Sequence, residues 1–198
     1  VSTFHSMCAR MLRQFPDAIG YGKDFTIYDA GDSLNCIKDC MKRLEIDTEH
    51  WTPRSVQAAI SNAKNDLLDP DRYDAGAFNF FQQNVARVYH LYHDTLVRNQ
   101  ALDFDDLLRR MAFLLRDFPE VRRQLSERFR YVLIDEYQDT NHAQYILAHG
   151  IAMEHRNICA TGDPDQSIYG WRGAEVRNTF RFEKDFPGAT VIRLEQNY

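Results

Sequence analysis

The feature that most constrains this chain is a change of hydrophobic period near Arg130. Before it, apolar residues recur at threes and fours, the spacing of one buried helix face. Phe4, Met7, Cys8, Met11, Leu12 and Phe15 form such a face, with Ser2 or Thr3 as the cap. Thr52 followed by Pro53 reads as an N-cap and a first-turn proline, opening a helix whose stripe is Val56, Ile60, Ala63 and Leu67. Phe78, Phe81, Val85, Val88, Tyr92 and Leu96 make a longer stripe. Asp103 then opens "DFDDLLRRMAFLLRDF", acids first and arginines later, as the helix dipole prefers, and Pro119 ends it or starts the next helix. After Arg130, short runs rich in β-branched residues (131–134, 157–161 and 190–194) alternate with helical stretches near 141–154 and 174–186. Strand, helix, strand, helix, strand is the pattern of a parallel sheet covered on its faces.

No apolar run is long enough to span a bilayer, and the N-terminus has no signal-like segment, so a soluble, intracellular protein is expected. Cys8, Cys36, Cys40 and Cys159 form no CxxC pair and read as reduced structural thiols. A net charge of -5 argues against a protein that coats nucleic acid electrostatically, although it leaves room for a narrow groove. Arginines cluster at 109–110 and at 122, 123, 128 and 130; a solvated helix face is the plain reading, DNA contact the other. The chain opens on Val1 and stops at "LEQNY", and reads as a piece of a longer polypeptide.

Chemistry concentrates in "YVLIDEYQDTN", residues 131–141, where a strand runs into adjacent carboxylates. Ligands of open parallel sheets bind beyond the carboxyl ends of strands. There Asp135 can hold the water shell of a magnesium ion bridging phosphates, and Glu136 can accept a proton from an attacking water. The same pair can equally be a helix cap and a solvated acid. A second loop, "TGDPDQSIYGWRGA" at 161–174, follows the next strand and leaves the same sheet edge. In it the Gln166 amide can donate to a γ-phosphate, Tyr169 and Trp171 offer faces for base stacking, and Arg172 can meet a backbone phosphate. Covering a core edge is the alternative for both aromatics. Gly162, Gly170 and Gly173 suit close backbone approach. His90 and His93 share a helix face but lack further ligands at metal spacing, and Asp103, Asp105 and Asp106 are explained by the helix dipole without a metal.

"STFHSMCARMLR", "LDFDDLL", "IDEYQDTN", "GDPDQSIYGWRGA" and "LEQNY" stand in the order found in superfamily 1 DNA helicases, and the whole chain resembles their UvrD/Rep/PcrA group. The resemblance implies an α/β fold: a partial RecA-like, P-loop NTPase parallel sheet with a mostly α-helical inserted subdomain. It divides the chain into 1–15, the start of motor domain 1A; 16–129, a helical 1B-like insertion; and 130–198, the later part of 1A. It implies ATP and Mg²⁺ as cofactors, Asp135 serving Mg²⁺, Glu136 as catalytic base, Gln166 sensing the γ-phosphate and Tyr198 stacking near the adenine. It further implies DNA contacts from Thr3, His5, Tyr169, Trp171 and Arg172. The expected parent is an ATP-dependent 3′ to 5′ helicase that translocates on single-stranded DNA in repair, replication or recombination. Its partners would be single strands, single/double-strand junctions and the remaining helicase domains, in the cytoplasm at the nucleoid. One departure stands out: GxxxxGK[ST] is absent, and "GYGKD" at 20–24 lacks the hydroxyl residue and lies in the helical region. The chain by itself is therefore expected to be inactive. A non-catalytic DNA-binding or interaction module, and the motor of a helicase-nuclease, are the alternatives.

Overall fold

A computed structural model of the chain describes residues 1–166 and 177–194. Its elements run α1 (Phe4–Leu12), α2 (Pro16–Ile19), β1 (Thr26–Tyr28), α3 (Ala30–Arg43), α4 (Pro53–Asn65), α5 (Pro70–Ala75), α6 (Phe80–Arg98), β2 (Ala101–Asp103) and α7 (Phe104–Asp117). They continue with α8 (Pro119–Arg128), β3 (Val132–Ile134), α9 (His142–Ala152), β4 (Ile158–Ala160) and α10 (Arg177–Asp185). The caps follow from local chemistry. Thr3 accepts from the Ser6 amide at 3.3 Å, Thr52 from Ser55 at 3.2 Å, and Asp103 from Asp106 at 2.8 Å, each satisfying an N–H that the first turn leaves without a partner.

The described residues form two principal hydrophobic cores. In one, Leu12 of α1, Met111 and Leu115 of α7, Leu125 of α8 and Leu147 of α9 pack together. In the other, Met41 of α3, Ile60 of α4, and Val85, Tyr89 and Leu96 of α6 form a helical unit of their own. The α/β class expected from the sequence holds: β3 and β4 pair in parallel, Val132 opposite Ile158 and Ile134 opposite Ala160, with α9 as the crossover.

Four expectations require correction. The region before Arg130 is not wholly helical, because β1 pairs in parallel with β2, Thr26 opposite Ala101. Each strand has three residues, too few to display a period of two. Residues 190–194 form no strand; Val191, Ile192 and Leu194 lie exposed, since an extended run becomes a strand only when another backbone pairs with it. Nor is the β3–β4 sheet covered on both faces: Ile134 is buried, while Leu133 is 78% exposed. Phe78 leaves its predicted stripe and is 87% exposed, because Asn79 caps α6 and places Phe78 outside the helix.

The arginine reading also changes at one position. Arg109 is 2% exposed, bonded to Asp106 at 3.2 Å and set over the Phe113 ring, so it is core rather than solvated face. It belongs to a buried ionic joint. The Lys64 side chain is 0% exposed, with its ammonium 2.6 Å from Asp103 and 2.7 Å from Asp106. Tyr92 donates to Asp103 at 2.8 Å. Two cations and two anions balance here, and the dipole explanation of the acids is therefore incomplete. Burial alone would strip the Lys64 proton, but Asp103 and Asp106 overrule it and raise the lysine's pKa. Burial likewise opposes the charge on Asp106, yet Lys64 and Arg109 hold that carboxyl well below the usual range.

Replacing Lys64 by Met keeps the volume and strands two buried carboxylates; a loss of about 3–5 kcal/mol is expected in denaturant unfolding. A loss below about 1 kcal/mol would show that the pairs do not hold the joint. Asp105 supplies a pH test. Burial first, then the Asp103 charge, raise its carboxyl to about 6. Its contribution to folding is thus full below the unfolded value of about 4 and lost as pH rises through about 6. Asp105→Asn should gain about 1–2 kcal/mol at pH 8 and nothing at pH 4, read from urea midpoints; equal midpoints at pH 8 would contradict the shift.

Candidate active site

The acidic loop leaves β3 through a strained residue. Glu136 has φ 51 and ψ 45, a left-handed conformation that costs a non-glycine residue about 1 kcal/mol or more. A 3-10 turn, Tyr137–Asp139, follows it and closes on Thr140, whose hydroxyl donates to the Tyr137 carbonyl at 2.7 Å. Strain of this kind persists only where neighbours fix the backbone. Those neighbours come from the loop after β4.

The two loops are tied at several points. The Tyr137 amide donates to the Thr161 carbonyl at 2.9 Å, and the Thr161 amide to the Ile134 carbonyl at 2.9 Å. The Thr161 hydroxyl donates to Asp135 Oδ1 at 2.7 Å, which also accepts from the Glu136 amide at 3.1 Å. Gln138 is the centre of the junction: its Nε2 donates to Glu136 Oε2 at 2.7 Å, and its Oε1 accepts from the Asp163 amide at 3.0 Å. The Gln138 residue is 1% exposed. Gln166, in the 3-10 turn Pro164–Gln166, donates from Nε2 to Asp163 Oδ2 at 2.7 Å. Asp135, Glu136 and Gln166 thus stand on one pair of mutually bonded loops, with both carboxylates of the acidic pair exposed.

An exposed carboxylate at the end of a parallel strand suits a hard cation such as Mg²⁺, which takes one or two carboxylates and keeps several waters. Asp135, with one oxygen steadied by two donors, fits that role. The Glu136 carboxylate, held on one side by a neutral amide, remains a proton acceptor facing solvent.

Thr3 and His5 stand at the start of α1. Thr3 is the exposed cap, and His5 sits half-buried, edge-on to Phe104 with ring centroids 5.7 Å apart. Burial lowers the pKa of His5, so it is neutral at physiological pH. It lines a cleft of about 620 Å³ that also reaches Asp105, Asp139 and Asn141, between α1, α4 and the acidic loop. Tyr169, Trp171, Arg172 and Tyr198, with Gly170 and Gly173, lie outside the described residues. The sequence reading missed Gln138, Thr161 and Asp163 as members of the junction. The signal for Gln138 was present, an amide two residues beyond the acidic pair, where a solvated loop has no need of one.

Gly162 is where the close approach predicted for the loop glycines occurs. A Cβ there would stand 2.4 Å from Gln138 Oε1 and 3.1 Å from the Tyr137 amide nitrogen. Gly162→Ala should therefore push the loops apart and cost about 1–3 kcal/mol in thermal or denaturant unfolding. A variant as stable as the parent sequence would show that the clamp tolerates a wider gap.

Comparison with known proteins identifies relatives of the whole chain. The sequence model of the family described as "UvrD/REP helicase N-terminal domain" matches residues 1–187. The ATP-dependent DNA helicase PcrA of Bacillus subtilis is 46% identical over 198 residues, covering 100% of this chain and 27% of that protein. The proteins of the same name from Staphylococcus aureus and Staphylococcus epidermidis are each 48% identical, again over 100% of this chain and 27% of theirs. The chain therefore spans about a quarter of the length of these relatives. With the family model matching nearly the whole sequence, the chain belongs to the UvrD/REP helicase N-terminal domain family.

Proposed function

We propose that this chain forms part of the nucleotide-hydrolysing motor of an ATP-dependent DNA helicase that moves on single-stranded DNA. The observation that carries the reading is the clamp in which Gln138 holds the Glu136 carboxylate and the Asp163 amide together. It fixes an acid pair and a second, amide-bearing loop at the carboxyl ends of neighbouring parallel strands, where nucleotides bind in open α/β sheets. Asp135 would hold the magnesium of a bound ATP, and that ion would neutralise charge on the phosphates. Glu136 takes a proton from the attacking water. Its tether to Gln138 orients the carboxylate while leaving its charge in place. Gln166 lies on the loop whose movement Glu136 and Gln138 feel, and serves as the γ-phosphate sensor.

The same loop continues into Tyr169, Trp171 and Arg172, which would line the single-strand path together with Thr3 and His5. Tyr198 would stack near the adenine. The 3′ to 5′ direction and preference for single/double-strand junctions rest on the resemblance. The helical unit from α3 to α6 would be the 1B-like insertion. The packing of α7 and α8 with α1 and α9 supports assigning 104–130 to the motor body rather than to the insertion. Phosphate-cradling residues are then supplied from elsewhere in the full-length protein, and its other domains would cover the open face at Leu133. Among the described residues no helix is long and apolar enough to cross a membrane. A cytoplasmic, nucleoid-associated location follows from this reading.

The test is Glu136→Gln in the full-length protein. Nucleotide binding should persist within about threefold, while DNA-stimulated turnover falls by about 10²-fold or more, the scale of a lost general base. Turnover at the parental rate would reject Glu136 as the base.

A further inference from the structure

Asn65 ends α4 in the helical unit, and Asn141 caps α9 directly after the acidic loop; 76 residues apart in sequence, they meet in the interior. Asn141 Nδ2 donates to Asn65 Oδ1 at 2.7 Å, with the two residues 8% and 7% exposed. The direction of this bond is fixed by what surrounds it. Asn141 Oδ1 is committed to the Gln144 amide at 2.9 Å as the helix cap, so only its NH₂ group can face Asn65. Asn65 in turn spends its own NH₂ on the Ser61 carbonyl at 3.0 Å and on Asp105 at 3.4 Å. Neither amide can rotate without abandoning a buried partner.

Both ends of the bond are anchored. On the α4 side, Lys64 is locked to Asp103 and Asp106. On the other side, the turn from Glu136 to Asn141 is stiff. Thr140 bonds twice to the Tyr137 carbonyl, through its amide at 3.1 Å and its hydroxyl at 2.7 Å. Asn178 of α10, 0% exposed, grips the Thr140 carbonyl at 3.0 Å. A displacement of Glu136 or Gln138 is thus delivered to Asn141 with little slack. The helical unit must then follow, or a buried amide loses its partner.

We infer that Asn65 is a positioning residue that couples the helical unit to the acidic loop, so that nucleotide at the loop sets the orientation of α4 and the unit it belongs to. The inference rests on the proposed nucleotide-binding role of that loop and adds to it a route into the helical unit. Coupling of this kind is reciprocal: whatever moves the helical unit also changes nucleotide affinity.

The experiment uses the full-length protein with a non-hydrolysable ATP analogue and magnesium, read by hydrogen exchange. In the parental sequence, nucleotide should change amide exchange across 53–65 by about fivefold or more. In Asn65→Ala that response should vanish, while the response of the acidic loop itself persists and DNA-free turnover stays within about twofold. An undiminished response across 53–65 in Asn65→Ala, or none there in the parental protein despite bound nucleotide, would overturn the inference. Asn141→Ser gives a second arm should the first variant unfold: it keeps a capping hydroxyl but cannot reach Asn65 with an amide, and must abolish the same response. The readout needs binding only, so normal turnover in Glu136→Gln would refute the catalytic assignment and leave this result interpretable.

Discussion

A fully buried ammonium group is the constraint around which this structure is arranged. Lys64 cannot remain charged in the interior without carboxylates, and it meets two, one at the end of β2 and one in the first turn of α7. That requirement brings together α4, α6 and the β2–α7 junction, which are distant in sequence. Tyr92 donates to the same Asp103 oxygen that Lys64 meets, the Asp106 amide takes the other Asp103 oxygen, and Arg109 takes the second oxygen of Asp106. A hydrophobic joint of the same volume could be as stable, but apolar surfaces slide where paired charges cannot. The helical unit is therefore pinned at one point against the β2–α7 junction, one residue before Asn65, the position that touches the cap of α9.

The candidate active site depends on a different economy of contacts. Glu136 is held in a left-handed conformation by bonds between two loops that follow adjacent parallel strands. Gly162 permits the approach, and Gln138 converts it into a fixed geometry. The amide orients the carboxylate from one oxygen and brings no net charge into the loop.

Much of this was readable before any coordinates. The caps at Thr3, Thr52 and Asp103 depend on contacts three residues apart, and such contacts are written locally. The β3–α9–β4 unit was legible because a shift from helical to strand spacing needs only a dozen residues to show itself. The pairing of β1 with β2 was not legible: Thr26 and Ala101 lie far apart in sequence, and three-residue strands carry no pattern. Residues 190–194 fail in the opposite sense, with strand-like composition and no paired backbone among the described residues. Lys64 within "AISNAKND" resembles any solvent-facing lysine beside a buried stripe, and nothing nearby announces that Asp103 and Asp106 will meet it.

The sequence by itself determined the helix starts at Thr3, Thr52 and Asp103, the parallel strand pair, the position of the acidic residues at a strand's end and, through five ordered motifs, the family. Each of these is a property of near neighbours or of spacing along the chain. Tertiary structure alone decided that Lys64 is buried and balanced, that Gln138 joins the two loops, and that Asn65 touches Asn141. Those outcomes require groups from separate elements to lose water together, and the free energy of desolvating one group depends on a partner whose place is set only when the chain has folded.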